Sequence, residues 1–501
     1  MQLMFTYQNP IIKGFHPDPS ICKDEHSYYL VTSSFEFLPG VPLFKSQDLI
    51  NWQQIGHCLT RDSQIDLHGT PVSGGIFAPT IRYHQGTFYM ITTNITKGNF
   101  IVSSKNPEEG FSNPVWLDID GIDPSLYFEN DKVYVQNVAR DASGISFIQQ
   151  SQIDIHTGKI LSGPSFLSKG CGGRDAEAPH LYKINGWYYL FLAEGGTREG
   201  HMVTVQRSRN LDGPYEISPY HPMVSNRDKA VEPLQSVGHA DLIQDGQGQW
   251  WIVCLATRPN NQHHHLGRET ILLPVEWTED GWPVVPGSYA RETITINREI
   301  EQKNDSSFDD CFESAALRYD YNTIRDFLKE NIDTSIRGQL KLTGNGSTLL
   351  TADSPLFVGV RQTENDCVFE TEMTLPSDGS KAGLSVYIDN LHHMEIGITN
   401  HHNNCSLYVK KNVEDLQIVS QEIPVEGANL TLGIEANKDK YTFYYLNDQS
   451  QKIIVDTTSV RHLTIEASNS PFTGVYGGMF IEGDGQVVFQ RFSYHEKQIQ
   501  E

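Results

Sequence analysis

Positive charge is scarce in this chain: 38 lysines and arginines face 62 aspartates and glutamates, a formal charge of −24. That balance argues against nucleic acid or an anionic membrane surface as a partner. Long apolar runs are missing too, and no stretch approaches the ~18 residues needed to span a bilayer. Cysteine is sparse and odd in number: Cys22, Cys58, Cys171, Cys254, Cys311, Cys367 and Cys405. No pair of them has metal-ligand spacing, so free thiols in a reducing compartment are expected. The opening Met1-Gln2-Leu3-Met4-Phe5-Thr6 lacks a basic n-region and an apolar h-region. No export signal is therefore expected, and the location is read as cytoplasmic. Helical periodicity is also rare, Asn322 to Glu330 being a short exception, so the chain is expected to be all-β. Its 501 residues exceed one comfortable core, which favours two domains.

What is present is repetition. A turn step, a short apolar stretch, a polar turn and an aromatic-rich strand recur five times. The copies are Asp18-Pro19-Ser20-Ile21 with Tyr28-Tyr29-Leu30-Val31, and Ala78-Pro79-Thr80-Ile81 with Phe88-Tyr89-Met90-Ile91. The third is Asp123-Pro124-Ser125-Leu126 with Val133-Tyr134-Val135. Then come Ala178-Pro179-His180-Leu181 with Trp187-Tyr188-Tyr189-Leu190, and Ala240-Asp241-Leu242-Ile243 with Trp250-Trp251-Ile252-Val253. A hairpin repeating every ~45–60 residues indicates a radial array whose units bury their faces against neighbours. Five units predict a five-bladed β-propeller over residues 1–296. A polar stretch at 297–307, including Asn304, reads as a linker. Residues 308–501 show short alternating segments, among them Val368 to Met373, Leu384 to Ile388 and Tyr441 to Tyr445, and predict a β-sandwich.

In a propeller, equivalent positions of the inner strands meet at one channel mouth. Aligning the copies on their turn step brings Asp18, Phe77, Asp123, Glu177 and His239 together there. Glycoside hydrolysis needs one protonated carboxyl to donate to the leaving oxygen and one ionised carboxylate to activate water or attack carbon. A third acid nearby holds a proton on the first. Each acid alone reads as turn chemistry or a strand edge; their common register, and the cost of burying acids without use, favours a site. His239 is either a satisfied core histidine or a channel group that meets a hydroxyl, a metal or water. The run His263-His264-His265 is read as solvated, since successive side chains on an extended loop point apart. Phe35 and Phe77 divide evenly between core and a sugar's apolar face, and Arg268 taken alone reads as an ion-pair former.

The chain resembles glycoside hydrolase family 43, in the β-xylosidase and α-L-arabinofuranosidase branch that carries a C-terminal sandwich. The motifs are Gly14-Phe15-His16-Pro17-Asp18-Pro19-Ser20, Ser33 to Pro42, Gly121-Ile122-Asp123-Pro124-Ser125-Leu126, Glu177 to Tyr182, Ala193 to Thr197, Gly238-His239-Ala240 and Leu266-Gly267-Arg268-Glu269-Thr270. Leu356 to Gln362 and Phe472-Thr473-Gly474 resemble the sandwich signature. The resemblance implies a five-bladed propeller with a concanavalin-like sandwich and an inverting mechanism. It implies Asp18 as general base, Asp123 as modulator and Glu177 as general acid. It further implies substrate contacts from Arg268, His239, Thr197, Phe35 and Phe77, with Phe472 closing the pocket so that only a terminal sugar enters.

The expected activity is exo-acting release of terminal non-reducing α-L-arabinofuranose or β-D-xylose from arabinoxylan- or arabinan-derived oligosaccharides. Phe77 in Gly74-Gly75-Ile76-Phe77-Ala78-Pro79 resembles the subgroup in which arabinofuranosidase activity is frequent, where many xylosidases carry tryptophan. No cofactor is required and no metal ligand is assigned. A divalent cation (Ca2+), held structurally or in the channel near His239, is the one optional group. Beyond the small oligosaccharide, a homo-oligomer is compatible with the family, but no residue fixes an interface. The alternatives are a retaining, fructosidase-like propeller and a non-catalytic sugar-binding propeller.

Overall fold

Four-stranded antiparallel sheets account for five successive segments of the chain in the computed structural model, which describes residues 4–303, 305–468, 470 and 472–497. Met1 to Leu3 and Asn304, which entered the expectations above, lie outside the described residues. The innermost strands of the sheets are Ser20–Lys23, Thr80–His84, Ile122–Glu129, Glu177–Ile184 and Gln235–Gln244. Each pairs with the aromatic-rich strand next in sequence, so a tight hairpin opens every blade. Apolar side chains then fill the gaps between blades: Leu126, Val135 and Ile153 pack with Ile91 and Ile101 of the previous blade, and Val138, Ile148 and Leu167 with Leu181 and Leu190 of the next. The start of the chain secures the ring. Phe5–Gln8 pairs with Thr293–Ile296, and Tyr7 Oη donates to the Leu272 carbonyl at 2.7 Å.

The register of the inner strands decides which residues meet. Ser20, Thr80, Ser125, His180 and Asp241 occupy equivalent positions, opposite Val31, Ile91, Gln136, Phe191 and Val253. Two residues before these, the backbone takes a left-handed step at Asp18, Asp123, Ala178 and His239, with φ of 55°, 52°, 50° and 54°. The ladders of blades three, four and five are interrupted there. Such bulges re-aim side chains at the rim of a sheet. The alignment expected for blade five is corrected by one residue: His239, not Ala240, is the counterpart of Asp18. Blades one, three and four carry proline after the step, whereas blade five has Ala240, so the sequence anchor was false there.

The second domain stacks an eight-stranded sheet on a seven-stranded one, both antiparallel. Cys367–Thr374 shows the alternation expected of a half-covered strand, with Cys367, Phe369, Thr371 and Met373 fully buried and their neighbours half-buried. Phe369, Leu384, Ile396, Ile434, Phe443, Met479 and Phe489 belong to the core between the sheets. The short stretch of helical spacing at Asn322 to Glu330 forms no helix. Thr323–Ile324 instead pairs with Phe37–Leu38 of the propeller, and Arg325 and Leu328 adopt φ of 60° and 53°. Interdomain pairing has overridden a weak helical pattern.

That joint continues along the face that carries the pocket. Arg361 of the sandwich donates to the Phe15 carbonyl at 2.7 Å and lies over the Phe15 and Tyr476 rings. Arg258 of the propeller is bound by both Glu269 and Glu364. The His263-His264-His265 run, expected to be solvated, is docked on the sandwich. His264 Nδ1 is 2.6 Å from Glu466 Oε1, and His265 is buried.

Candidate active site

Asp18 stands where the left-handed step turns its carboxylate into the mouth, and it is 4% exposed. Ser33 Oγ donates to Oδ2 at 2.6 Å, and Arg268 Nη1 donates to Oδ1 at 2.8 Å. His239 Nδ1 is 3.4 Å from the same Oδ1. Burial alone would push the Asp18 carboxyl up, but the Arg268 charge, His239 and the Ser33 hydroxyl together hold it below the ordinary range. Asp18 is therefore ionised at neutral pH.

The other two acids behave in the opposite sense. Asp123 is buried beside Glu177 and Asp18, and desolvation plus those two like charges keep its carboxyl protonated well above the usual range. The Ala178 N–H opposes this only in part. Glu177 is pushed up to about 7, first by burial, then by Asp175 and Asp18, against the pull of Arg140 and Arg268. Repulsion between neighbouring acids is reciprocal, so once either Asp123 or Glu177 carries a charge the other is harder to ionise. One mouth thus holds an ionised carboxylate and two proton-bearing ones.

Arg268 organises the rest. Its Nη1 also donates to Thr197 Oγ1 at 3.3 Å and its Nη2 to the Phe472 carbonyl at 3.4 Å. The guanidinium lies 5.6 Å from the Phe35 ring centroid and 5.5 Å from that of Phe472. Phe35 and Phe472 stack at 5.6 Å, and Phe77 meets Phe35 at 5.2 Å. Phe35 is 3% exposed and serves as buried backing, whereas Phe77 and Phe472 are half-buried beside it. The structure brings Asp18, Phe35, Thr197, His239, Arg268 and Phe472 into direct contact, adds Phe77 through Phe35, and couples Asp123 and Glu177 to them by charge.

Several groups escaped the sequence. Ser33 anchors Asp18 from the loop just after the second strand of its blade, which ends at Val31, within the Ser33 to Pro42 motif but with no signal of its own. Below the mouth, Asp241 is fully buried and binds Ser20 Oγ at 2.6 Å and Arg82 Nη1 at 2.7 Å, and it also accepts from Tyr182. Arg82 Nη2 meets His180 Nδ1 at 2.8 Å. These residues tie blades one, two, four and five across the channel. The correct register of blade five would have placed Asp241 opposite Ser20.

The surroundings of His239 suit a divalent cation poorly. The neighbouring charge pairs are already made, both Asp18 oxygens accept hydrogen bonds, and the Arg268 guanidinium stands beside them. Among the described residues no group of three or more His, Cys, Asp or Glu is arranged to hold a metal ion.

Phe472 reaches the pocket because its loop passes very close to the propeller. A Cβ on Gly474 would lie 2.7 Å from the Leu266 carbonyl oxygen and 2.9 Å from Gly267 N, both backbone atoms that cannot swing away. Gly474→Ala is therefore expected to lift the Phe472 loop, raising KM about tenfold with a smaller loss in kcat. Steady-state kinetics beside a thermal melt checks this, with Phe472→Ala expected to reproduce the KM change without the melt.

Residues 7–283 match the model "Glycosyl hydrolases family 43", and residues 309–495 match "Beta xylosidase C-terminal Concanavalin A-like domain". The chain is 38% identical to a non-reducing end alpha-L-arabinofuranosidase of Bacteroides ovatus, over 96% of this chain and 92% of that one. It is 34% identical to a xylosidase/arabinosidase of Butyrivibrio fibrisolvens, over 96% and 97%. Its fold superposes on the crystal structure of a xylan beta-1,4-xylosidase from Bacillus halodurans with a TM-score of 0.92 and 30% identity, covering 98% of this chain and 100% of the other. A five-bladed propeller with a concanavalin-like partner, three acids at one mouth and full-length relatives of this kind lead to one conclusion: the chain belongs to glycosyl hydrolase family 43 and is a glycoside hydrolase.

Proposed function

We propose that this enzyme releases single pentoses, α-L-arabinofuranose and β-D-xylose, from the non-reducing ends of arabinoxylan- or arabinan-derived oligosaccharides, with inversion. The observation that carries this is the opposed protonation of Asp18 and Glu177 around one aromatic-walled pocket. Asp18 takes a proton from a water whose oxygen attacks the anomeric carbon. The glycosidic C–O bond breaks on the opposite face, and the leaving oxygen takes its proton from Glu177. Asp123, buried and neutral beside Glu177, completes the acid's surroundings without adding a charge to them. Asp18 is a weak base because its carboxyl is held low. An oxocarbenium-like transition state tolerates this, since little proton transfer to the base is needed before the carbon becomes electrophilic.

Arg268 and Thr197 offer donors to sugar hydroxyls, while Phe77 and Phe472 cover an apolar face. The phenylalanine at 77, with the arabinofuranosidase among the relatives, favours arabinofuranose as the better substrate. Seven free thiols suit a reducing, cytoplasmic setting in which imported oligosaccharides are trimmed. Proton NMR of the first-formed sugar, with nitrophenyl arabinofuranoside and nitrophenyl xyloside in parallel, tests the proposal. Inverted anomer is expected from both, formed faster from the arabinofuranoside. Retained configuration would overturn the assignment of Asp18 as a base toward water.

A further inference from the structure

The proton on Glu177 is governed from outside the ring of repeat positions as well as from within it. Arg140 ends the strand Lys132–Arg140 of blade three, and its Nη1 donates to the Gly144 carbonyl at 3.0 Å, which fixes the hairpin tip. From there Nη2 lies 3.6 Å from Glu177 Oε1, and Nη1 lies 3.6 Å from Asp175 Oδ1. Asp175 precedes Glu177 by two residues, in a left-handed conformation with φ of 51°, and is paired with Arg174 Nε at 2.7 Å. The guanidinium of Arg140 thus stands between two carboxylates at the solvent edge of the pocket.

We infer that Asp175 is a positioning residue for Glu177: it holds the Arg140 guanidinium that reaches the acid's carboxyl, and the two opposed rim charges together set that carboxyl's orientation and charge balance. The inference rests on the reading of Glu177 as general acid. The groups that face Glu177 are the charged Asp18 and Arg268 and the neutral Asp123 from the pocket side, and the charged Asp175 and Arg140 from the rim. After burial, Asp175 is the strongest influence holding the proton on, and Arg140 the strongest drawing it off. The rim therefore supplies two opposed charges of similar reach, and changing either moves the balance. Stability is not the reason for the arrangement, since Arg140 is half exposed and solvent-exposed pairs contribute little to folding.

The test is the pH dependence of kcat/KM for the wild type, Asp175→Asn, Arg140→Gln and Glu177→Gln on whichever arabinofuranosyl or xylosyl oligosaccharide is turned over, since a sugar leaving group needs the Glu177 proton. The wild type should lose activity as pH rises through about 7, as Glu177 ionises. Asp175→Asn should move that limb down by ~0.5–1 pH unit, so that kcat/KM at alkaline pH falls about three- to tenfold while the acid side changes little. Arg140→Gln should move it up. A limb unmoved in both variants, or a loss uniform across pH, overturns the inference. The reading beneath it fails differently: if Glu177→Gln keeps the limb, Glu177 is not the acid, whatever the rim variants do.

Discussion

Glu177→Gln is expected to lower kcat/KM on an arabinofuranosyl oligosaccharide about a thousandfold, yet to cost a nitrophenyl arabinofuranoside only about tenfold. The physical reason lies in the leaving group. A sugar hydroxyl is a poor acid and cannot depart as an alkoxide, so its oxygen needs the Glu177 proton as the C–O bond stretches. Nitrophenolate carries its own negative charge comfortably and departs largely unaided. Glutamine fills the same space and keeps a donor near Arg140, but it has no acidic proton to transfer. KM should therefore change little, and the loss should fall on kcat, corresponding to about 4 kcal/mol of transition-state stabilisation on the oligosaccharide. The alkaline limb near pH 7 should vanish, since the group that ionises there is gone. Equal losses on both substrates would show that Glu177 holds the sugar rather than protonating it.

How much of this was legible beforehand depended on whether the information was periodic or only spatial. The five-fold hairpin was written in the chain because each blade needs the same turn and the same aromatic-rich second strand to pack on its neighbour. Asp18, Asp123 and Glu177 could be found because the repeat carries them to one mouth, and in blades one, three and four a proline marks the step. Where that mark was missing the register slipped: His239 was placed one residue early, and Asp241, the hub of the channel network, went unnoticed. The assignments of Arg268, Thr197 and Phe472 came from family resemblance alone. Arg268 lies on the third strand of blade five and Phe472 on a loop of another domain, so no local pattern connects them. The same limit applies to Asn322 to Glu330, whose helical spacing yields to pairing with Phe37–Leu38. It applies to Asp175 as well, which sits two residues from Glu177 yet acts through Arg140 of another blade.

Asp18→Asn separates the two halves of the reaction from the other side. Water must lose a proton to some base whatever group is leaving, so this variant should lose about a thousandfold in kcat on oligosaccharide and nitrophenyl substrate alike. The substitution also has a stability consequence whose sign follows from the surroundings. Burial disfavours the Asp18 charge while Arg268, His239 and the Ser33 hydroxyl favour it, and its carboxyl ends below the ordinary range, so attraction prevails. A carboxylate held low in the folded state contributes stability above its unfolded pKa and loses it as pH falls through the folded one. Asparagine removes that contribution and leaves the buried Arg268 guanidinium without its counter-charge. The variant should therefore melt at lower temperature than the wild type at neutral pH, and the two melting curves should converge as pH falls and Asp18 of the wild type takes up a proton. Thermal denaturation across pH measures this directly. A neutral-pH melt equal to or above the wild type would mean that relief from burying the Asp18 charge outweighs the lost Arg268 pair, and that Asp18 is retained for chemistry at a cost to the fold.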